Sequence, residues 1–236
     1  LKYSDVETPM KAYQTNLYFS THEVTNEQYS KFLQNLIQSD KIALYDKVLY
    51  DSTQWYEKFP VDFNTPMQKL YHNHSAYNDY PVVNISHESA QMYCKWLTEQ
   101  YNTQRKRNFT KVIFRLPTNE EWEQAAKGKK SDAKYGLLND ALINENKCYL
   151  ANIQPEKGKY FDDGGFHTVK VNTYICNDFE LFNTIGNVAE MIQTKGIAKG
   201  GCWYTLPEES TIQSKLKYDK EDPGVGFRLV MEVIEK

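Results

Sequence analysis

The sequence has no long apolar run, little glycine or proline, and no surplus of either charge. No stretch approaches the ~18–20 consecutive apolar residues that span a bilayer, and a mean hydropathy of −0.70 is too polar for an integral membrane protein. Eleven glycines and eight prolines in 236 residues are scattered, not clustered. No linker divides the chain, so one domain over residues 1–236 is expected. Lysine and arginine number 28 against 31 aspartates and glutamates, a net charge of −3. Nucleic acid wants a basic face, and no such partner is expected. The four cysteines, Cys94, Cys148, Cys176 and Cys202, form no CxxC pair, so a zinc ribbon or thioredoxin-like site is not expected. They could make two bridges in three connectivities, or none. GxSxG, P-loop, HExxH and GxGxxG patterns are missing too. The chain opens on Leu1 and polar residues, where secretion can be neither read nor excluded.

What is present is aromatic: 18 Tyr, 11 Phe and 4 Trp. That is ample core material and argues against disorder. A domain of this size buries ~70–75% of its unfolded surface and needs no metal or disulfide merely to fold. Three helices are predicted. The first starts after Thr25, which forms a capping box with Gln28, and carries Tyr29, Phe32, Leu33 and Leu36 at helical spacing. The second starts near Ser86, with Glu88 in the first turn and Ala90, Tyr93, Cys94 and Leu97 on one face. The third starts at Thr118, boxed with Glu121, and turns Trp122, Ala125 and Ala126 inward. Extended segments are expected at 16–19, 112–116, 168–171, 197–199 and 226–233. Helices early, short strands late and much irregular chain make the fold class α+β. Residues 38–80 are Tyr-rich and weakly periodic, as expected of a surface insertion.

Two runs offer hard oxygen donors. Asn183-Thr-Ile-Gly186-Asn187-Val188-Ala-Glu190 supplies an amide oxygen, backbone carbonyls and a carboxylate within eight residues. Asn152-Ile153 followed by Asp162-Asp163-Gly164-Gly165 has the same chemistry. Ca2+ takes such mixtures of oxygens, although the plainer reading of either run by residue type is a turn in which Asn or Asp caps its own backbone. His72-Asn-His74 would put two imidazoles on one side of a strand, or be two solvated loop histidines. The basic run Gln104-Arg-Lys-Arg-Asn108 reads as a solvated loop, with a partner contact as the alternative. Asn73, Asn84 and Asn108 head glycosylation sequons, which matter only on a eukaryotic secretory route.

Six runs taken together resemble one family. They are Glu23-Val-Thr-Asn-Glu-Gln-Tyr29, Tyr80-Pro-Val-Val-Asn-Ile-Ser86, Phe114-Arg-Leu-Pro-Thr-Asn-Glu-Glu-Trp122-Glu, the Asn183 to Glu190 run, Lys199-Gly-Gly-Cys-Trp203 and Gly226-Phe-Arg228. In this order they resemble the formylglycine-generating enzyme, or sulfatase-modifying factor, family. The resemblance implies the family's variant of the C-type-lectin-like fold, with little regular secondary structure. It also implies two structural Ca2+ sites. One would use Asn152, the Ile153 carbonyl, Asp163 and the Gly165 carbonyl. The other would use Asn183, the Gly186 and Val188 carbonyls, and Glu190.

The departures from the family bear on function. The enzyme oxidises a substrate cysteine to formylglycine with two cysteines that bind copper and activate oxygen. The corresponding interval here, from Trp203 to Val225, contains no cysteine, and the two positions fall on Thr205 and Ser210. A hydroxyl cannot replace a soft thiolate on Cu(I), so no copper is expected. Cys202 is the nearby thiol, and one sulfur does not make a two-thiolate site. Ala189 and Met191 stand where the family has aromatic residues. The runs Asp51-Ser-Thr-Gln-Trp55, Phe63-Asn-Thr-Pro-Met67 and His74-Ser-Ala-Tyr-Asn-Asp-Tyr-Pro81 resemble the gliding-motility lipoproteins of the same superfamily. That branch implies a lipid-anchored domain in the periplasm or at the cell surface, working in a protein-secretion machine and binding another protein. The expectation is therefore a non-catalytic, calcium-stabilised scaffold or binding module. The alternatives are an oxidase using Cys202 and a lectin-like domain that binds glycans or peptides through its long loops.

Overall fold

The computed structural model describes residues 8–59, 65–159 and 162–236. Two four-stranded sheets and the helices share the core. The first sheet has the order β1-β2-β8-β3, from β1 (Met10–Gln14), β2 (Leu17–Ser20), β3 (Lys111–Arg115) and β8 (Val230–Glu235), and is antiparallel throughout. β2 therefore pairs with β8, close to the other end of the chain. The second sheet has the order β6-β5-β4-β7, from β4 (Ala189–Met191), β5 (Ile197–Lys199), β6 (Lys215–Lys217) and β7 (Val225–Gly226). Only its β4–β7 pairing is parallel.

The three predicted helices form where their caps place them. α1 (Asn26–Gln38) and α6 (Asn119–Lys127) both start with complete capping boxes, on Thr25 and Thr118. α5 (His87–Thr103) is capped by the Ser86 hydroxyl. The predicted apolar faces of α1 and α5 meet in the core: Tyr29 stacks on Tyr93 at 5.7 Å between ring centres, and Phe32 lies 5.2 Å from Trp96. α5 also guards the outer edge of β3. The Asn102 amide accepts from the Val112 N–H (3.0 Å) and donates to the Val112 carbonyl (2.9 Å), and the Thr98 hydroxyl accepts from the Phe114 N–H (2.8 Å). These side chains satisfy backbone groups that would otherwise recruit another strand.

Three expectations change in the folded chain. Residues 168–171 form no strand, because side-chain amides take the place of a partner strand. Asn187 accepts from the Val169 N–H (2.8 Å), and Asn183 donates to the Val171 carbonyl (3.1 Å). Residues 226–233 are not one strand but a transfer between sheets, β7 belonging to one and β8 to the other, with Arg228 at the crossing. Residues 38–80 are more than a surface insertion. They hold α2 (Ile42–Val48), α3 (Gln54–Lys58) and α4 (Thr65–Leu70), and they bury Val48, Trp55, Met67 and Tyr71. Phe63 and Asn64 of the second lipoprotein-like run lie outside the described residues. His72 and His74 sit in turns, not on a strand: His72 stacks on Tyr50, and His74 accepts from the Ala76 N–H. Asn84 is wholly buried with φ +57°, which removes it as a glycan acceptor. Among the described residues no helix is long and apolar enough to cross a membrane.

Candidate functional site

The turn from Asn183 to Val188 runs through the left-handed region at Asn183 (φ +50°), Gly186 (+78°) and Asn187 (+60°). Asn tolerates this conformation, and glycine is required where space is also short. A Cβ on Gly186 would lie 2.3 Å from the Asn152 carbonyl oxygen. That carbonyl accepts from the Asn187 N–H (2.7 Å), and the Asn152 amide donates to Asn187 Oδ1 (3.3 Å). The two runs read separately in the sequence are therefore locked together.

In the first set, Asn152, Ile153, Asp163 and Gly165 do converge. Asp163 accepts from the N–H groups of Ile153 (2.7 Å) and Gly165 (3.0 Å), and burial pushes its pKa up to about 6. Two N–H donors use about half of the ~4 acceptor positions of a carboxylate, so the cap and a hard cation are compatible here. In the second set the residues have different partners. Glu190 faces Arg228, with Nε to Oε2 and Nη2 to Oε1 both at 2.5 Å, and accepts from Trp122 Nε1 at 2.6 Å. The Asn183 amide donates to Glu23 (3.3 Å), and its Oδ1 is buried with no partner. An orphaned amide oxygen is one donor of the kind a hard cation takes, and an ion that also used Glu190 would have to share that carboxylate with Arg228. Among the described residues, no group of three or more His, Cys, Asp and Glu is placed to hold a metal. Any cation would depend on these amide and carbonyl oxygens.

Glu23, Arg228 and Trp122 carry no role in the sequence reading, yet they complete this buried knot. Glu23 accepts from Asn187 (2.8 Å) and Asn183; burial pushes its pKa up to about 8, and nearby Arg228 opposes that rise. Arg228 also donates to the carbonyls of Ser20 (3.2 Å) and Phe182 (2.7 Å). Its guanidinium is fully buried, and Glu190 holds its pKa above the ordinary value against that burial. The signal was present in the sequence: four of the six family runs each contribute a polar residue to the same knot.

Thr205 and Ser210 also come together. Their hydroxyls lie 2.7 Å apart, Thr205 accepts from the Cys202 N–H (2.7 Å), and Ser210 donates to the Leu206 carbonyl (2.9 Å). Both are buried. The insertion closes over the neighbouring residues: Phe59 packs on Trp203 at 4.8 Å, Trp55 stacks on Trp203 at 6.2 Å, and Lys58 sits over the Tyr204 ring at 4.8 Å. Burial pushes the Cys202 thiol up to about 12, the opposite of a thiol activated as a nucleophile. All four cysteines are free.

Residues 2–233 match the family described as the sulfatase-modifying factor enzyme 1-like domain. The chain belongs to this family. It is 33% identical over 167 residues to the inactive C-alpha-formylglycine-generating enzyme 2 of Bos taurus, covering 64% of this chain and 50% of that protein. It is 26% identical over 149 residues to the formylglycine-generating enzyme of Thermomonospora curvata, covering 63% and 42%. The chain thus spans about half the length of these relatives or less. Among solved structures it resembles Treponema denticola variable protein 1, with a TM-score of 0.60 at 18% identity over 98% of this chain and 90% of that one. It also resembles PvdO from Pseudomonas aeruginosa, with a TM-score of 0.63 at 16% identity over 92% and 80%. The architecture is α+β, the sulfatase-modifying-factor variant of the C-type-lectin-like fold. The similarity thus extends both to proteins named formylglycine-generating enzyme and to proteins named its inactive form.

Proposed function

We propose that this chain is a non-catalytic member of its family, a protein-binding scaffold of the cell envelope. One observation carries the reading. At the two positions where the family resemblance puts catalytic cysteines, the side chains are hydroxyls, hydrogen-bonded to each other and buried. A threonine and a serine hydrogen-bonded at 2.7 Å have no lone pairs soft enough to hold Cu(I). The high pKa of Cys202 and its burial remove the nearest substitute thiol. The similarity to a relative named inactive points the same way.

The envelope location, lipid anchor and protein partner come from the resemblance to gliding-motility lipoproteins. In this reading calcium is structural, held by Asn183, Glu190 and the Gly186 and Val188 carbonyls, and by Asn152, Asp163 and the Ile153 and Gly165 carbonyls. Its task would be to fix the turn that organises the buried knot. The deciding experiment incubates the purified chain with copper, oxygen and a cysteine peptide of sulfatase type. The expected result is an unchanged peptide by mass spectrometry. Formation of formylglycine would overturn the proposal.

A further inference from the structure

The chain between α5 and β3 carries charge of one sign. No acidic residue lies between Gln100 and Asn119, while Arg105, Lys106, Arg107, Lys111 and Arg115 all fall there. Arg115 is neutralised by Glu121 (2.7 Å) and Glu232 (3.0 Å). The other four are exposed, and among the described residues none of them is in an ion pair. Arg107 donates to the carbonyls of Gln104 (2.5 Å) and Thr110 (2.9 Å), which orient its guanidinium and leave its charge uncompensated. Glu235 lies opposite Lys111 in the β3–β8 register and offsets one charge at most. The patch is therefore positive on a chain whose net charge is −3.

This loop is tied down on three sides. The Phe109 N–H donates to the buried Tyr101 hydroxyl of α5 (3.0 Å), and the Phe109 ring packs on Tyr18 of β2 at 5.6 Å. The Thr110 hydroxyl donates to the carbonyl of Lys236, the residue after β8 (2.9 Å). The cations are thus presented at a fixed end of the first sheet. Aliphatic side chains stand beside them. The partners of β3 skip from Glu235, opposite Lys111, to Val233, opposite Val112, so Ile234 is an unpaired bulge residue. It is 47% exposed. Ile113 follows Lys111 by two residues, on the same side of β3, and is 40% exposed. Val112 and Phe114 alternate with them and enter the core.

The two features together select a partner. Unbalanced cations call for an anion. Single-stranded nucleic acid would stack its bases on aromatic rings, and an acidic peptide would leave the isoleucines in water. An anionic lipid surface uses both features: headgroup phosphates meet the cations, and aliphatic side chains enter the boundary between headgroups and acyl chains. We propose that this end of the first sheet docks on an anionic membrane surface, with Arg105, Lys106, Arg107 and Lys111 at the headgroups and Ile113 and Ile234 inserted beside them. The inference does not rest on the scaffold reading above and needs no lipid anchor.

Co-sedimentation of the full chain with vesicles tests it. One set is phosphatidylcholine alone, and the other is phosphatidylcholine and phosphatidylglycerol in equal parts. The chain should bind the second set and not the first. Raising NaCl from ~0.1 to ~1 M shortens the screening length from ~10 to ~3 Å and should release it. Each Lys or Arg near an anionic surface strengthens binding about fivefold, so Arg105→Gln with Lys106→Gln should weaken it at least tenfold. Ile113→Ser with Ile234→Ser should weaken it at least threefold. All four side chains are exposed, and equal melting temperatures check that the variants fold. Lys147→Gln with Lys157→Gln removes the same charge from exposed positions on other loops and should bind as the parent does. The proposal is overturned if the anionic vesicles do not bind, or if neutral vesicles bind equally well. It is also overturned if the Lys147 and Lys157 variant loses as much as the Arg105 and Lys106 variant, or if the isoleucine variant binds unchanged. Binding of poly-glutamate or a DNA oligonucleotide without binding of the anionic vesicles would overturn it as well.

Discussion

Replacing Arg228 with methionine tests the buried knot most directly. The guanidinium is fully buried and makes two 2.5 Å contacts with Glu190 and one bond each to the carbonyls of Ser20 and Phe182. Methionine fills much of the volume but leaves Glu190 held by Trp122 alone and removes the positive charge near Glu23. Breaking a buried pair from one side costs ~3–5 kcal/mol, because an uncompensated charge stays behind. Domains have only ~5–15 kcal/mol in total. With a urea m-value near ~3 kcal/mol/M, the unfolding midpoint should fall by ~1–1.7 M. The double variant Arg228→Met, Glu190→Leu removes both charges and should be less destabilised than Arg228→Met alone. Urea unfolding followed by tryptophan fluorescence reads both, since Trp122 is a member of the knot. A midpoint loss equivalent to under ~1 kcal/mol for Arg228→Met, or strict additivity in the double variant, would show that the pair does not hold this crossing together.

Three further outcomes are expected. If the turn at Asn183 binds calcium, hundredfold excess over Kd should stabilise the fold by ~2.7 kcal/mol; melts in EDTA should fall below melts in calcium, and Asn183→Ala should shrink the gap, whereas identical melts would exclude exchangeable sites. Gly186→Ala puts a Cβ 2.3 Å from the Asn152 carbonyl at φ +78°, so it should cost more than the ~1 kcal/mol typical of point changes, read as a lower urea midpoint; a neutral result would mean that the two loops are not in contact. Burial lowers His72 and His167 to about 4, so the unfolded chain binds protons more readily than the native one. Their contribution is complete above pH ~6.5 and is lost as pH falls toward about 4, by up to ~3 kcal/mol for His72 and less for the partly exposed His167. The stability of His72→Gln should fall less steeply than that of the parent across this range, and parallel curves would refute the assignment.

Local rules written in the chain survived folding. Thr25 with Gln28, Ser86, and Thr118 with Glu121 start their helices because caps act within a single turn. Residues 197–199 are a strand as expected. What failed was whatever depended on partners distant in sequence. Residues 168–171 are extended-looking chain whose partners turned out to be the amides of Asn183 and Asn187. The 38–80 segment has little periodicity because Trp55 and Tyr71 are buried one at a time from short helices and turns.

The candidate site divides in the same way. Residue types alone marked Asn183, Glu190, Asn152 and Asp163 as oxygen donors, and the family resemblance puts the hydroxyls of Thr205 and Ser210 where catalytic cysteines would stand, in an interval from Trp203 to Val225 that holds no cysteine. That chemistry cannot be changed by folding, since no tertiary contact makes a sulfur from a hydroxyl. Only the tertiary structure could show that Glu23, 205 residues before Arg228 in the numbering, shares its buried pocket of charge, or that Glu190 faces a guanidinium. Burial and neighbour identity set the pKa of a carboxylate, and both are fixed only once the strands at the two ends of the chain have paired.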